Sequence, residues 1–307
     1  MGGWLRTVWR LRVGRAVSSE PAFALMLVAP TLILLLLFGV FPIGYSVFVS
    51  LLQWRLNIPG VPTFIGLGNY ARMFHDPVFT ASLGKTLYYS VFAVVGTIAL
   101  GLATALLLDR QDVKGKAFLI AVLVVPWAVP RVSAGLMWKW IYDGNYGILN
   151  ATLLHLGLIH QYQWWFTGSQ WVALSLVALT QIYKDSPFAA MLFLAGLQTV
   201  PVHLQKAAMM DGATRTQRFW FVTLPSMRFV LLAVMILETT WALKTFDLVY
   251  VLTGGGPGNQ TMLTYMYVYR QAFSYLDVGY GSAMAYFVTF VVFVVAFGYY
   301  RLAGHAG

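Results

Sequence analysis

The chain has 307 residues, 59% hydrophobic and only 10% charged, against roughly 25% charged in soluble domains, so lipid is the solvent for most of it. The net charge of +10 then reads as the loop asymmetry of a membrane protein, and nucleic acid is not an expected partner. Without cysteine, disulfides, thiolate metal sites and cysteine nucleophiles are excluded.

A bilayer core of ~30 Å needs ~20 apolar residues as a helix. Before the first such run, "WLRTVWRLRVGR" sets Trp4, Leu5, Val8 and Leu11 at helical spacing among arginines, the pattern of a short helix on a membrane face or of a basic tail. The first span is expected over Phe23–Leu52, retained because it is longer than the apolar region of a secretion signal. The second is expected over Thr86–Leu108, and the third over Ala117–Tyr142, interrupted by Pro126, Pro130 and Arg131. The fourth, Trp171–Val200, carries Lys184 and Asp185. The fifth, Met227–Leu252, carries Glu238, Lys244 and Asp247. The sixth runs over Ser282–Tyr300.

One side collects Arg6, Arg10, Arg12, Arg15, Arg110, Lys114, Lys116, Lys206, Arg215, Arg218, Arg228 and Arg301; the other has only Arg55, Arg72, Lys85 and Arg270. Positive-inside therefore places both termini and the Lys206–Pro225 loop in the cytoplasm. The expected organisation is a basic segment over 1–20, a first span with its external loop over 21–84, and a five-helix core over 85–302 with a polar loop at 201–225.

That loop reads "KAAMMDGATRTQRFWFVTLP" from Lys206. Pro201 can open a helix, Asp211-Gly212 breaks it, and Thr214 with Gln217 has capping-box spacing for a second helix. Leu224-Pro225 is expected to end the unit. The composition suits a helix pair lying on headgroups or a docking element for a soluble partner.

The same residues resemble the EAA motif of ABC importer permeases. Ala207, Ala208, Asp211, Gly212, Ala213, Phe219, Leu224 and Pro225 match in register, Val222 replaces Ile, and Lys206 stands where the motif has Glu. "FIGLGNYARMFHDPVFTASLGKTLYYS" (64–90), "YGILNATLLHLGL" (146–158) and "YVLTGGGPGNQTMLTYMYVYRQAF" (250–273) resemble the carbohydrate-uptake branch, of the type that pairs with a second, different permease. The resemblance implies an all-α membrane protein with six transmembrane helices, the type I importer permease fold, and cytoplasmic coupling helices that fit a cleft on an ATP-binding subunit. It implies as partners a homologous second permease, two ATP-binding subunits and an extracytoplasmic solute-binding protein, in a bacterial or archaeal cytoplasmic membrane. ATP and Mg would bind the partner ATPase. This sequence has no G-x-x-x-x-G-K-[ST] loop and no enzyme chemistry of its own.

Ionisable residues inside a membrane face a cavity or a partner. Lys184 and Asp185 are neighbours that point ~100° apart and do not pair simply with each other; Lys244 and Asp247, three apart, have pairing distance. Counting from the EAA motif, the resemblance puts the family's sugar-contacting positions at Lys184, Asp185 and Phe188 on one helix and at Glu238, Trp241 and Ala242 on the next. Trp241 can stack on a sugar face, Asp185 and Glu238 can accept from hydroxyls, and Lys184 can donate. The other reading of these charges, of Lys244 and Asp247 above all, is a structural ion-pair network between the two permeases. Arg131 is expected in an inter-subunit structural role, with a vestibule position as the alternative. Lys139, between Trp138 and Trp140, is expected to anchor at the interface, and His155 and His160 lack metal-ligand spacing. The expected function is the permease subunit of an ATP-driven importer of a sugar, oligosaccharide or polyol. The rival is a self-sufficient ion-coupled transporter using Asp185, Glu238 and Asp247, against which the chain shows no internal repeat.

Overall fold

A computed structural model describes residues 20–110 and 112–304; the amphipathic pattern near Trp4 and the first arginines lie outside these residues. Helices dominate because the sequence is apolar over lengths that only an internally hydrogen-bonded backbone can carry through lipid. The first span is α1 (Glu20–Leu35), a π turn (Leu36–Val40) and α2 (Phe41–Ser50). The π turn precedes Pro42, which has no N–H to give the preceding turn. The expected boundary at Leu52 is corrected: Leu52 belongs to β1 (Leu52–Gln53), which pairs antiparallel with β2 (Thr63–Phe64).

After α3 (Gly68–His75) comes α4 (Pro77–Asp109), nine residues longer at its start than expected. Lys85 marked the expected edge, but its ammonium is held by the Asn259 carbonyl at 2.5 Å, and Asp76 caps the helix lower down through Val78 and Phe79 N–H. The third span is two helices, α5 (Lys116–Ala128) and α6 (Arg131–Ile141), bent by 93°. Pro130 holds Val129 extended, at φ −68 and ψ 132, and ends α5 there. A short α7 (Ile148–His155) leads to α8 (Gln170–Gln198), which runs through Pro187.

The loop that follows contains α9 (Val202–Met210), α10 (Arg215–Arg218), a π turn (Phe219–Thr223) and α11 (Leu224–Ser226). Leu224-Pro225 does not end the unit as expected. The widened π turn accommodates the N–H that Pro225 lacks, and the chain bends by 73° only at Met227. The fifth span, expected as one helix, is α12 (Arg228–Leu243) and α13 (Asp247–Leu252), interrupted at Lys244–Phe246. Thr245 Oγ1 bonds back to the Trp241 carbonyl (2.9 Å) and to Gln181 Oε1 (3.0 Å), fixing the interruption against α8. Then come α14 (Thr264–Tyr269) and α15 (Val278–Gly304).

Among the described residues three helices are long and apolar enough to cross a membrane, and three bent pairs bring the total to six. The central packing is α4 against α8. A Cβ on Gly101 would meet Ala189 Cβ at 2.8 Å and the Ala190 nitrogen at 3.2 Å, so small residues set how closely these backbones approach. Two apolar clusters flank that contact, one around Tyr89, Val177, Leu248 and Tyr280 and one around Ala105, Phe193 and Met227.

Candidate functional site

The breaks at Val129–Pro130 and Lys244–Phe246 face each other across α8. Irregular backbone at membrane depth persists where it lines a cavity, and a cavity of about 490 Å³ lies here. Its walls include Trp127 and Arg131 from the first break, Lys184 and Asp185 from α8, and Trp241, Lys244 and Asp247 from the second.

Lys184 and Asp185 find separate partners, as their angular separation requires. In an unbroken helix the Trp127 carbonyl would accept from the N–H of residue 131. The break frees it, and Lys184 Nζ donates to it at 3.0 Å. Asp185, 1% exposed, accepts from Arg131 Nη2 at 3.2 Å. The Arg131 guanidinium lies 5.8 Å from the Trp241 ring centroid. Phe188 stands behind that wall, stacked on Trp127 (5.2 Å, 14°) and tilted against Trp241 (5.4 Å). The site is thus an aromatic wall with an ion pair at its edge, a lining suited to a solute with both an apolar face and hydroxyls.

Other expected residues are placed differently. Glu238 is 1% exposed and off the cavity wall, and neither of its carboxylate oxygens has a hydrogen-bond partner. It lies within Coulombic reach of Asp185 and Arg131. Ala242 is fully buried in packing against the core. Lys244 and Asp247 both line the cavity but form no ion pair with each other, because the helix that would have brought them together is interrupted between them. Trp127 was missing from the expected set, and Arg131, expected in an inter-subunit structural role, lines the cavity as its alternative vestibule reading had it. Their signal was the Pro126…Pro130-Arg131 run, which marks a broken helix, and broken helices are where polar groups can face a cavity.

Residues 2–305 match the family described as "Binding-protein-dependent transport system inner membrane component". The chain belongs to that family. It is 38% identical over 268 residues to the sulfoquinovosyl glycerol transport system permease protein of Agrobacterium fabrum, covering 87% of this chain and 85% of that one. It is 35% identical to the trehalose/maltose transport system permease protein of Thermococcus litoralis, covering 91% and 92%. Its fold matches a crystal structure of a bacterial ABC transporter involved in import of the acidic polysaccharide alginate, with a TM-score of 0.79 at 19% identity, over 96% of this chain and 99% of that chain. The protein is therefore a multi-pass ABC importer permease of type I fold, a transport subunit and not an enzyme. Membership sets aside the ion-coupled secondary transporter.

The permease's second notable region is the Lys206–Pro225 loop. Helix α9 closes with Asp211, and Gly212 adopts φ +79, a conformation that costs a side-chain-bearing residue about 1–2 kcal/mol. Ala213 N–H then reaches back to the Ala208 carbonyl at 2.9 Å, the bond that ends a helix on a left-handed glycine. Thr214 and Gln217 form both bonds of the capping box. Gln205 Nε2 donates to Thr223 Oγ1 at 2.8 Å and ties the two arms together. Lys206, Ala207, Asp211, Gly212 and Pro225 are exposed, while Ala208, Ala213, Phe219 and Leu224 are half-buried. Among the described residues Lys206 makes no ion pair. Met210, 88% exposed, adds apolar surface beside it.

Proposed function

We infer that this permease is the first of a heteromeric pair that imports a sugar, oligosaccharide or related polyol. It would work with a second permease, two copies of an ATP-binding subunit that carry ATP and Mg, and an extracytoplasmic solute-binding protein. Both termini and the Lys206–Pro225 loop lie in the cytoplasm, as the basic residues of 1–20, 110–116 and 206–228 require in the positive-inside sense. The observation that carries the reading is the cavity between the two helix breaks, where Trp241 and the Arg131–Asp185 pair offer stacking beside a donor and an acceptor. The sugar-transport names of two relatives support it.

ATP closes the ATPase dimer, the dimer moves the helix pair α9 and α10, and rigid-body rocking turns the cavity toward the binding protein. Lys184, Asp185 and Trp241 form the path, with Phe188 backing its aromatic wall and Lys244 and Asp247 at its rim. Glu238 and Ala242 lie behind the wall and shape it. Lys206, Ala207, Ala208, Asp211, Gly212, Ala213, Phe219, Leu224 and Pro225 form the coupling element.

The test is ATPase activity of the reconstituted complex with and without binding protein loaded with trehalose or maltose. Stimulation by loaded protein supports the reading, and stimulation that survives bulky replacement of both Asp211 and Gly212 contradicts the coupling assignment.

A further inference from the structure

In the sequence Arg110, Arg215 and Arg218 mark the cytoplasmic side by charge alone, but the fold brings them together. The end of α4 and the loop after α8 enclose a cavity of about 560 Å³, and these three arginines line it with Asp109 and Asp112. Arg110 is committed to Asp112, with Nε at 3.0 Å from Oδ1 and Nη2 at 2.6 Å from Oδ2. Arg215 lies only within Coulombic reach of that carboxylate. Among the described residues neither the Arg215 nor the Arg218 guanidinium makes a hydrogen bond or an ion pair. Arg218 Nε is moreover sealed from solvent, and an unpaired buried donor is unfavourable unless compensated. Three arginines against two aspartates leave the cavity with a positive excess.

Arg215 and Arg218 stand three apart on the single turn of α10, so they share a face. Two uncommitted guanidiniums side by side suit a phosphate, whose oxygens can accept from both. The level of the cavity says which phosphate. Helix α4 is a membrane span and ends at Asp109, so the cavity stands at headgroup height. Leu106 and Phe219 give it an apolar side. Their chain neighbours Leu107 and Trp220 are 60% and 56% exposed, as residues facing acyl chains are. A phosphate in solution, or an acidic protein surface, makes no use of that apolar side, whereas a lipid has chains to lay against it. Basic pockets beside spans on the cytoplasmic side take anionic headgroups in this way. Gln205 and Thr223, whose bond ties α9 to the π turn, line the same cavity, so its occupant touches α4 and both arms of the loop.

We propose that this cavity is a lipid site, in which Arg215 and Arg218 hold the phosphate of an anionic headgroup and moor the coupling pair to α4 at the inner leaflet. The proposal rests on the cytoplasmic placement of the loop. Its test is native mass spectrometry of the complete transporter, released from vesicles of phosphatidylcholine and phosphatidylglycerol in equal parts and titrated with phosphatidylglycerol. Replacing both Arg215→Gln and Arg218→Gln should weaken retention of phosphatidylglycerol at least about tenfold. Lys114→Gln, which removes a charge from the same side but outside the cavity, should change it little. Asp109→Asn removes the opposing carboxylate and should tighten retention, a gain that a folding defect cannot imitate. Equal loss in Lys114→Gln, or no gain in Asp109→Asn, would show attraction by the basic surface as a whole and overturn the proposal. Inorganic phosphate that displaces the lipid where chloride at the same ionic strength does not would assign the site to a soluble phosphate and overturn the lipid source. A double variant that keeps its lipid but sheds the ATP-binding subunits would give the arginines to that partner and overturn it as well. Retention is read without transport, so its failure leaves the sugar-import reading standing. A complex that retains lipid but is not stimulated by loaded binding protein removes the import reading and leaves the site.

Discussion

Glu238 and Asp76 show how one carboxylate can oppose the fold and another support it. Glu238 is buried in α12 with both oxygens unpaired, and an unsatisfied buried polar group costs about 1–3 kcal/mol. Glu238→Leu is expected to raise the thermal midpoint of the purified complex while lowering transport, because the polar group sits behind the path wall. A lower midpoint would mean that Glu238 is satisfied in the assembled protein. Asp76 instead accepts four bonds: Oδ1 from Val78 and Phe79 N–H, and Oδ2 from Tyr267 and Tyr280 hydroxyls at 2.7 and 2.9 Å. Burial pushes its carboxyl up, but the bonds from Tyr267, Tyr280, Phe79 and Val78 outweigh burial and hold it below the usual carboxylate range. A depressed folded value stabilises above the ordinary carboxylate range, and that stability is lost as pH falls through the depressed value. Asp76→Asn should remove this part of the acid sensitivity, read as thermal midpoint against pH. Asp76→Ala should cost about 1 kcal/mol or more at neutral pH through the lost cap. At this scale the sequence showed which side chains were expensive in lipid but not which partners they meet. Lys184, Asp185 and Trp241 were legible as an intramembrane polar and aromatic set, while Arg131 was legible only as a residue at a helix break, since its partner Asp185 lies on another helix.

Helices were legible where they were long and apolar, and their breaks only where proline announced them. The bend at Pro130 and the capping box at Thr214 follow from local chemistry. The interruption at Lys244–Phe246 does not, because it depends on Thr245 meeting Gln181 of α8. The α4–α8 contact gives a direct element-scale expectation. Gly101→Val should destabilise the complex by about 1–3 kcal/mol, since its side chain would run into Ala189 and the α8 backbone and force the helices apart; unfolding in denaturant measures it. Gly212 behaves in the opposite way. No atom lies within 4 Å of the position a Cβ would take, so only its left-handed φ resists substitution. Gly212→Asn, a residue that tolerates the left-handed region, should therefore leave the midpoint nearly unchanged and weaken ATPase stimulation by loaded binding protein. If the midpoint fell as far as in Gly101→Val, the loop would be part of the core and not a docking element.

On the scale of the molecule, the chain is built with surfaces it does not cover itself. The apolar window of the first span is entirely unburied within this chain, although α2 reaches α15 through Ser46 and Tyr286 hydroxyls 2.6 Å apart. The cavity is likewise open toward the face where Lys244 stands exposed. A six-span helical architecture was readable from hydropathy and the family from the Lys206–Pro225 pattern, but the cavity was not, since it exists only where two breaks far apart in sequence are brought together by α8. Coupling between that cavity and the loop is the central claim. The most direct measurement is uptake of the labelled sugar that the binding protein holds, into proteoliposomes holding this permease, the second permease, the ATPase and loaded binding protein. Uptake is expected to require ATP on the cytoplasmic side, to fall at least tenfold in Trp241→Ala, and to persist when an uncoupler collapses the proton gradient. Uptake that survives without ATP and stops with the uncoupler would contradict it.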